Sequence, residues 1–250
     1  LPNQDAIGFS PQSKVGPPLC LAVADGHGSP KSFRSDTGSG FAVETALQIL
    51  SAFLDGLPRE TELSDIERDL KDRLPKQIDN AWKEKVAKHY KDNAFTSEEF
   101  SALEAAANDG RHAVESNPIL AYGSTILAVI VHDDFLACLQ LGDGDILLVY
   151  PTGATVRPID QDARLFANET TSLSASQCWK DFRSYCQPLP DNSPALVLAS
   201  TDGYANSFKG EAGFWCLGKD FLDLISLMNQ AKGNGPLVNL IARITLDLDH

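Results

Sequence analysis

The stretch Leu19-Cys20-Leu21-Ala22-Val23-Ala24-Asp25-Gly26-His27-Gly28 decides how the rest of the chain is read. Leu19 to Ala24 is an unbroken apolar run, too short for a typical helix and closed by turn residues, which predicts a buried strand. It ends abruptly in a carboxylate and an imidazole. The glycines at 26 and 28 let the backbone turn sharply and come close to another group. Carboxylate oxygen is a hard ligand of the kind Mg²⁺ and Mn²⁺ prefer, and a histidine beside it can move a proton near neutral pH. An ordinary strand followed by an Asp-Gly turn would look the same, with His27 merely exposed.

Repetition weighs against the ordinary turn. Phe135 to Leu141 is a second apolar run, closed by Gly142-Asp143-Gly144-Asp145, and Ala195 to Ser200 is a third, closed by Thr201-Asp202-Gly203. If these strand ends lie together in packed sheets, Asp25, Asp143 and Asp202 converge. Converging buried carboxylates repel one another and lose hydration, so their convergence implies bound cations. For Asp143 a plain hairpin, with Phe135–Leu141 and Ile146–Tyr150 as its arms, is an equally natural expectation.

Asn3-Gln4-Asp5, Ala24-Asp25-Gly26-His27-Gly28, Gly123-Ser124-Thr125, Gly142-Asp143 and Thr201-Asp202-Gly203, in that order, resemble the metal-dependent protein phosphatases of type 2C, the PPM family. The likeness runs from Leu1 to about Phe208. Arg34-Ser35-Asp36, and Asn168-Glu169-Thr170 with Ser172-Leu173, are more similar to a bacterial branch than to the eukaryotic enzymes.

The resemblance implies an α+β fold of two packed antiparallel β-sheets flanked by helices on both faces. It also implies hydrolysis of phosphoserine and phosphothreonine on proteins by metal-activated water. Asp25 would bridge two Mg²⁺ or Mn²⁺ ions with help from the Gly26 carbonyl, Asp202 would bind one of them, and Asp5 would hold metal-bound waters. Asp143 is similar to the family's ligand for a third, weaker ion, and His27 would protonate the leaving oxygen. Gln4 stands where many members carry Glu. The family ends on a strand preceded by an Asp-Asp or Asp-Asn pair, which Asp247-Leu248-Asp249-His250 does not match, so neither Asp247 nor Asp249 is assigned. That mismatch keeps open a non-catalytic phosphopeptide-binding relative, and a small-molecule phosphoesterase is a further alternative.

A chain of 250 residues, 43% of them apolar, fits one large domain with a substantial core. Residues 1–250 read as a single phosphatase domain whose natural ends lie outside the sequence. The net charge of −13 argues against a general nucleic-acid binder, which needs a basic face. The five cysteines are scattered and form no CxxC pair, so zinc and redox chemistry are poor expectations. No signal peptide and no stretch of 18 apolar residues is visible. A reducing cytoplasm, a phosphorylated protein as partner and a monomeric state are the expectations.

Between the motifs, apolar residues at 41, 43, 46, 47, 50, 53 and 54 have helical spacing, after a polar stretch from Ser29 to Ser39. Arg34 could contact phosphate, but a structurally paired arginine is the favoured expectation. Leu63, Ile66, Leu70 and Leu74 mark one helix face, and Ile78, Trp82, Val86 and Tyr90 continue it. Thr96-Ser97-Glu98-Glu99 starts another helix, expected over Phe100 to Val114. Gly123 to Tyr150 reads as an antiparallel meander with Asp133-Asp134 at a hairpin tip. Asp160 to Pro194 breaks this rhythm with two Cys, Trp179 and three Pro, and the resemblance implies that the region includes a variable flap beside the site, a place for substrate choice. Phe221 to Met228 reads as a short amphipathic helix, and Leu237 to Leu246 as another apolar segment.

Overall fold

The structure, a computed structural model, describes residues 3–13, 16–107, 110–162, 171–189, 193–208 and 211–232. Asn168-Glu169-Thr170, Leu237 to Leu246 and the terminal aspartates lie outside the described residues.

The first sheet holds strands in the order β1 (Ala6–Ser10), β2 (Leu19–Ala24), β3 (Ile126–Val131), β4 (Phe135–Leu141) and β7 (Arg183–Pro188). The second holds β6 (Thr155–Val156), β5 (Asp145–Val149) and β8 (Leu196–Ser200). Every strand pair is antiparallel. The long helix α1 (Ser35–Asp55) lies on the first sheet, with α3 (Leu74–Asp92) packed against α1, and α7 (Glu211–Lys232) lies on the second. The result is the α+β sandwich of two sheets between helical layers.

The continuous apolar runs follow from this layering. Successive strand residues point to opposite faces, and both faces of the first sheet are covered. Ala22, Ala24, Ile126, Ala128, Ile130, Ala137 and Leu139 pack towards Ala42, Ala46, Leu50, Ile78 and Trp82 of the helices. Val23, Leu127, Val129, Leu136 and Cys138 pack towards Ile146 and Leu148 of β5. Residues of β3 and β4 are therefore apolar at nearly every position, without the alternation of a half-exposed sheet.

Several expectations are corrected. The Gly142–Gly144 turn joins no hairpin: β4 pairs with β3 and β7, while β5 pairs with β6 and β8, so the turn carries the chain from one sheet to the other. Gly142 takes φ +111, and a Cβ on Gly144 would lie 2.6 Å from the Ser200 carbonyl oxygen, so the two sheets close tightly here. The expected helix at Phe100 to Val114 is two helices, α4 (Ser97–Ala106) and α5 (Gly110–Ser116). The first α-helix starts at Ser35, inside the polar stretch, and α7 extends well beyond Phe221–Met228 on both sides. The 160–194 stretch contains strand β7. The face marked by Leu63 to Leu74 runs through α2 (Leu63–Arg68) and a π-helical turn, Asp69–Arg73, into α3.

Thr96 caps α4 as the sequence suggests, with the reciprocal Thr96–Glu99 bonds of a capping box. Asp133 and Asp134 are exposed at the β3–β4 tip. Among the described residues no helix is long and apolar enough to cross a membrane.

Candidate active site

Strand β2 ends at Ala24, and Asp25-Gly26-His27 then runs beside Gly123-Ser124-Thr125 at the start of β3. The Asp25 N–H donates to Thr125 Oγ1 (3.0 Å), Thr125 N–H to the Asp25 carbonyl (2.9 Å), and His27 N–H to the Gly123 carbonyl (3.0 Å). Gly26 forms a bridge with Ser124 and donates to the Gln4 carbonyl at 3.1 Å. Both glycines are needed for contact. A Cβ on Gly26 would stand 2.7 Å from the carbonyl oxygens of Gln4 and Ser35, and one on Gly123 would stand 2.5 Å from His27 Cδ2. The Gly-Ser-Thr triplet is thus the seat of the Asp-Gly-His turn. In the sequence the triplet is marked only by a small-residue step directly before a long apolar strand.

The neighbouring segments complete the seat. Leu173 N–H donates to the Ser124 carbonyl (2.9 Å), so Ser172-Leu173 lie against the triplet. Gln4 turns its amide to Ser35 Oγ (2.6 Å) and has a structural partner there.

The structure gathers Asp5 and Asp202 around Asp25. Half-buried Asp25 has its carboxyl pushed up to about 8, by burial first and then by the charges and hydrogen bonds of Asp5 and Asp202. Thr201 donates to Asp5 Oδ2 (3.3 Å), and Asn206, one turn into α6 (Asp202–Asn206), donates to Asp202 Oδ2 (3.1 Å). Asp143 stands within electrostatic reach of His27, whose imidazole burial pushes below its usual range while Asp143 pulls it back up. Among the described residues, no three His, Cys, Asp or Glu side chains form a group that could hold a metal ion as they stand.

Beside Asp143 lies a cavity of about 160 Å³ bordered by Gln140, Arg157, Asp162 and Arg183. Gln140 Nε2 donates to the Gly144 carbonyl (2.6 Å) and Arg183 Nη2 to the Gly142 carbonyl (2.7 Å), which fixes the Asp143 turn. Arg157 pairs with buried Asp145 at 2.7 Å.

Arg34 is the structurally paired arginine that was favoured. Its Nε and Nη2 hold Glu99 (2.6 and 2.8 Å), Nη1 donates to the Asn93 carbonyl and the Tyr122 hydroxyl (2.6 and 2.9 Å), and Nη2 also reaches the Ala94 carbonyl (3.2 Å). All five guanidinium N–H groups are thereby engaged within the protein, leaving none for a phosphate.

Two antiparallel sheets sandwiched by helices, with carboxylates gathered at one edge, define the architecture of a phosphatase of type 2C. The chain belongs to that family: the model of the protein phosphatase 2C family matches residues 1–238. Family membership makes it a serine/threonine protein phosphatase. Among solved structures it is similar to a bacterial serine phosphatase, with a TM-score of 0.50 and 16% identity over 84% of this chain and 76% of that one. It is similar also to the serine/threonine phosphatase Stp1 of Staphylococcus aureus, with a TM-score of 0.48 and 15% identity over 92% and 85%. The catalytic domain of the phosphatase PstP, solved in complex with two manganese ions, gives a TM-score of 0.46 and 16% identity over 84% and 75%. At 16% identity the likeness to the bacterial serine phosphatase is one of fold. No curated protein sequence matches the chain.

Proposed function

We propose that this single phosphatase domain hydrolyses phosphoserine and phosphothreonine on protein substrates with two bound Mg²⁺ or Mn²⁺ ions and room for a third, weaker one. The observation that carries the proposal is the gathering of Asp5 and Asp202 on Asp25, whose carboxyl is pushed up to about 8 by burial first and then by these two neighbours. Negative charge concentrated this way is relieved by a divalent cation, and carboxylate oxygens are the hard donors that such ions take. Asp25 with the Gly26 carbonyl, and Asp202, would hold the pair. Asp5 would orient coordinated water, and Asp143 would serve the third position.

When bound, such ions supply a water acidified to near-neutral pKa and stabilise charge building up on phosphorus. The chain's own residues do the rest. The hydrogen bonds of Gly123 and Thr125 hold the Asp-Gly-His turn rigid, which keeps the reacting groups aligned. As the bond from phosphorus to the serine or threonine oxygen breaks, that oxygen needs a proton, and His27 is the group that would give it. Asp143 favours the protonated imidazole this role requires, against the opposing effect of burial.

The test is chelation. Exhaustive EDTA treatment should abolish hydrolysis of a phosphoserine peptide, and Mn²⁺ or Mg²⁺ should restore it. Activity that survives chelation refutes the metal-dependent mechanism.

A further inference from the structure

We infer that Arg34, held by Glu99, is a positioning residue that fixes the seat of His27 through Tyr122. The inference rests on the proposed role of His27 and extends it to residues away from the gathered aspartates.

Tyr122 immediately precedes the Gly123-Ser124-Thr125 triplet, and it is fully buried. It is gripped at both ends. Its main chain presses on α1, where a Cβ on Gly38 would overlap the Tyr122 carbonyl. Its hydroxyl accepts from Arg34 Nη1 and meets His89 Nδ1, each at 2.9 Å. The main chain repeats the link: Arg34 N–H donates to the Ala121 carbonyl (2.8 Å), and Ser32 Oγ to the Leu120 carbonyl (3.1 Å). Ser32 Oγ also lies 3.0 Å from where a Gly123 Cβ would stand, directly beside His27.

Arg34 is in turn immobilised. The guanidinium lies over the Phe95 ring at 4.7 Å and is clamped bidentately by Glu99. The Glu99 carboxylate also accepts from Thr96 N–H at the start of α4. One ion pair therefore fastens the α3–α4 connection, the segment before α1 and the segment before β3 into a single block behind His27. A lysine could keep the charge but could not span these partners, because its ammonium has no planar fork. A displacement of about 1 Å at a catalytic group can cost on the order of 10²-fold in rate. Loosening this block therefore reaches the reaction without touching a reacting atom.

The test uses Tyr122→Phe and Glu99→Gln in the full chain, with His27→Ala as reference. Hydrogen exchange over residues 25–28 should quicken about fivefold or more in both variants, because local opening of the His27 amide becomes easier. Turnover of a phosphoserine peptide should fall roughly tenfold at unchanged KM, and turnover of p-nitrophenyl phosphate less than about twofold, because nitrophenolate leaves without a proton. Arg34→Lys should not rescue the peptide rate. Unchanged exchange at 25–28 overturns the inference. So do equal losses on both substrates when His27→Ala distinguishes them. If His27→Ala does not distinguish the substrates, the acid role falls and the exchange result alone decides the positioning claim.

Discussion

Replacing Asp25 by Asn should stabilise the metal-free protein and inactivate the enzyme. In the folded chain the Asp25 carboxyl sits at about 8 against a usual value near 3.8. Between those values the folded state keeps a proton that the unfolded chain has lost. Stability from this group is fully present below pH 4 and is lost progressively as pH rises to 8. A shift of about four units at 1.4 kcal/mol each sets a ceiling near 6 kcal/mol. Asp25 is only partly buried, and water screens such a group strongly, so about 2 kcal/mol is expected above pH 8. For a chain of this size, 2 kcal/mol raises Tm by roughly 4–8 °C. The assay is thermal unfolding of wild type and Asp25→Asn in EDTA at pH 5 and pH 8.5, beside peptide hydrolysis in Mn²⁺. The gain should be larger at pH 8.5 than at pH 5. A variant that melts no higher than wild type at pH 8.5, or a gain that does not grow with pH, refutes the idea that the aspartates strain one another.

Gly123→Ala places a methyl 2.5 Å from His27 Cδ2. The variant should lose about 1–3 kcal/mol of stability and most of its phosphopeptide turnover, checked by denaturant titration and steady-state kinetics. Arg157→Met should leave the buried Asp145 carboxylate without the charge 2.7 Å away, lowering stability by about 3 kcal/mol in urea unfolding. A loss under about 0.5 kcal/mol would mean that water or other partners satisfy Asp145.

The sequence made β2, β3 and β4 legible because burial on both faces leaves them continuously apolar. The Asp-Gly ends were legible for a related reason: a carboxylate placed directly after a core strand is costly and stands out. The sheet switch at Gly142–Gly144 was not legible, because a turn between two apolar strands has the same local chemistry whether the strands pair or part. Only the partners of β5 decide it, and β8 lies some fifty residues further along. Strand β7, Arg-Ser-Tyr-Cys-Gln-Pro, escaped notice because an edge strand needs neither alternation nor β-branched residues and tolerates its terminal proline. The start of α1 was hidden by Gly38 and Gly40, which are poor helix formers. Gly38 is there because Tyr122 comes too close for any side chain. The site divides in the same way. Asp25 and His27 close an apolar strand and stand out, whereas Tyr122, Gly123 and Thr125 act through contacts about a hundred residues away, and the small-residue step before β3 does not show which segment it seats.

The most direct test of metal-dependent phosphate chemistry in this chain is calorimetric titration of the EDTA-stripped protein with Mn²⁺. Wild type should take up two ions with the release of protons from the Asp25 site, while Asp25→Asn and Asp202→Asn should each lose at least one. Absence of Mn²⁺ binding to wild type, or binding that both variants leave intact, would contradict the assignment of these aspartates to a metal centre.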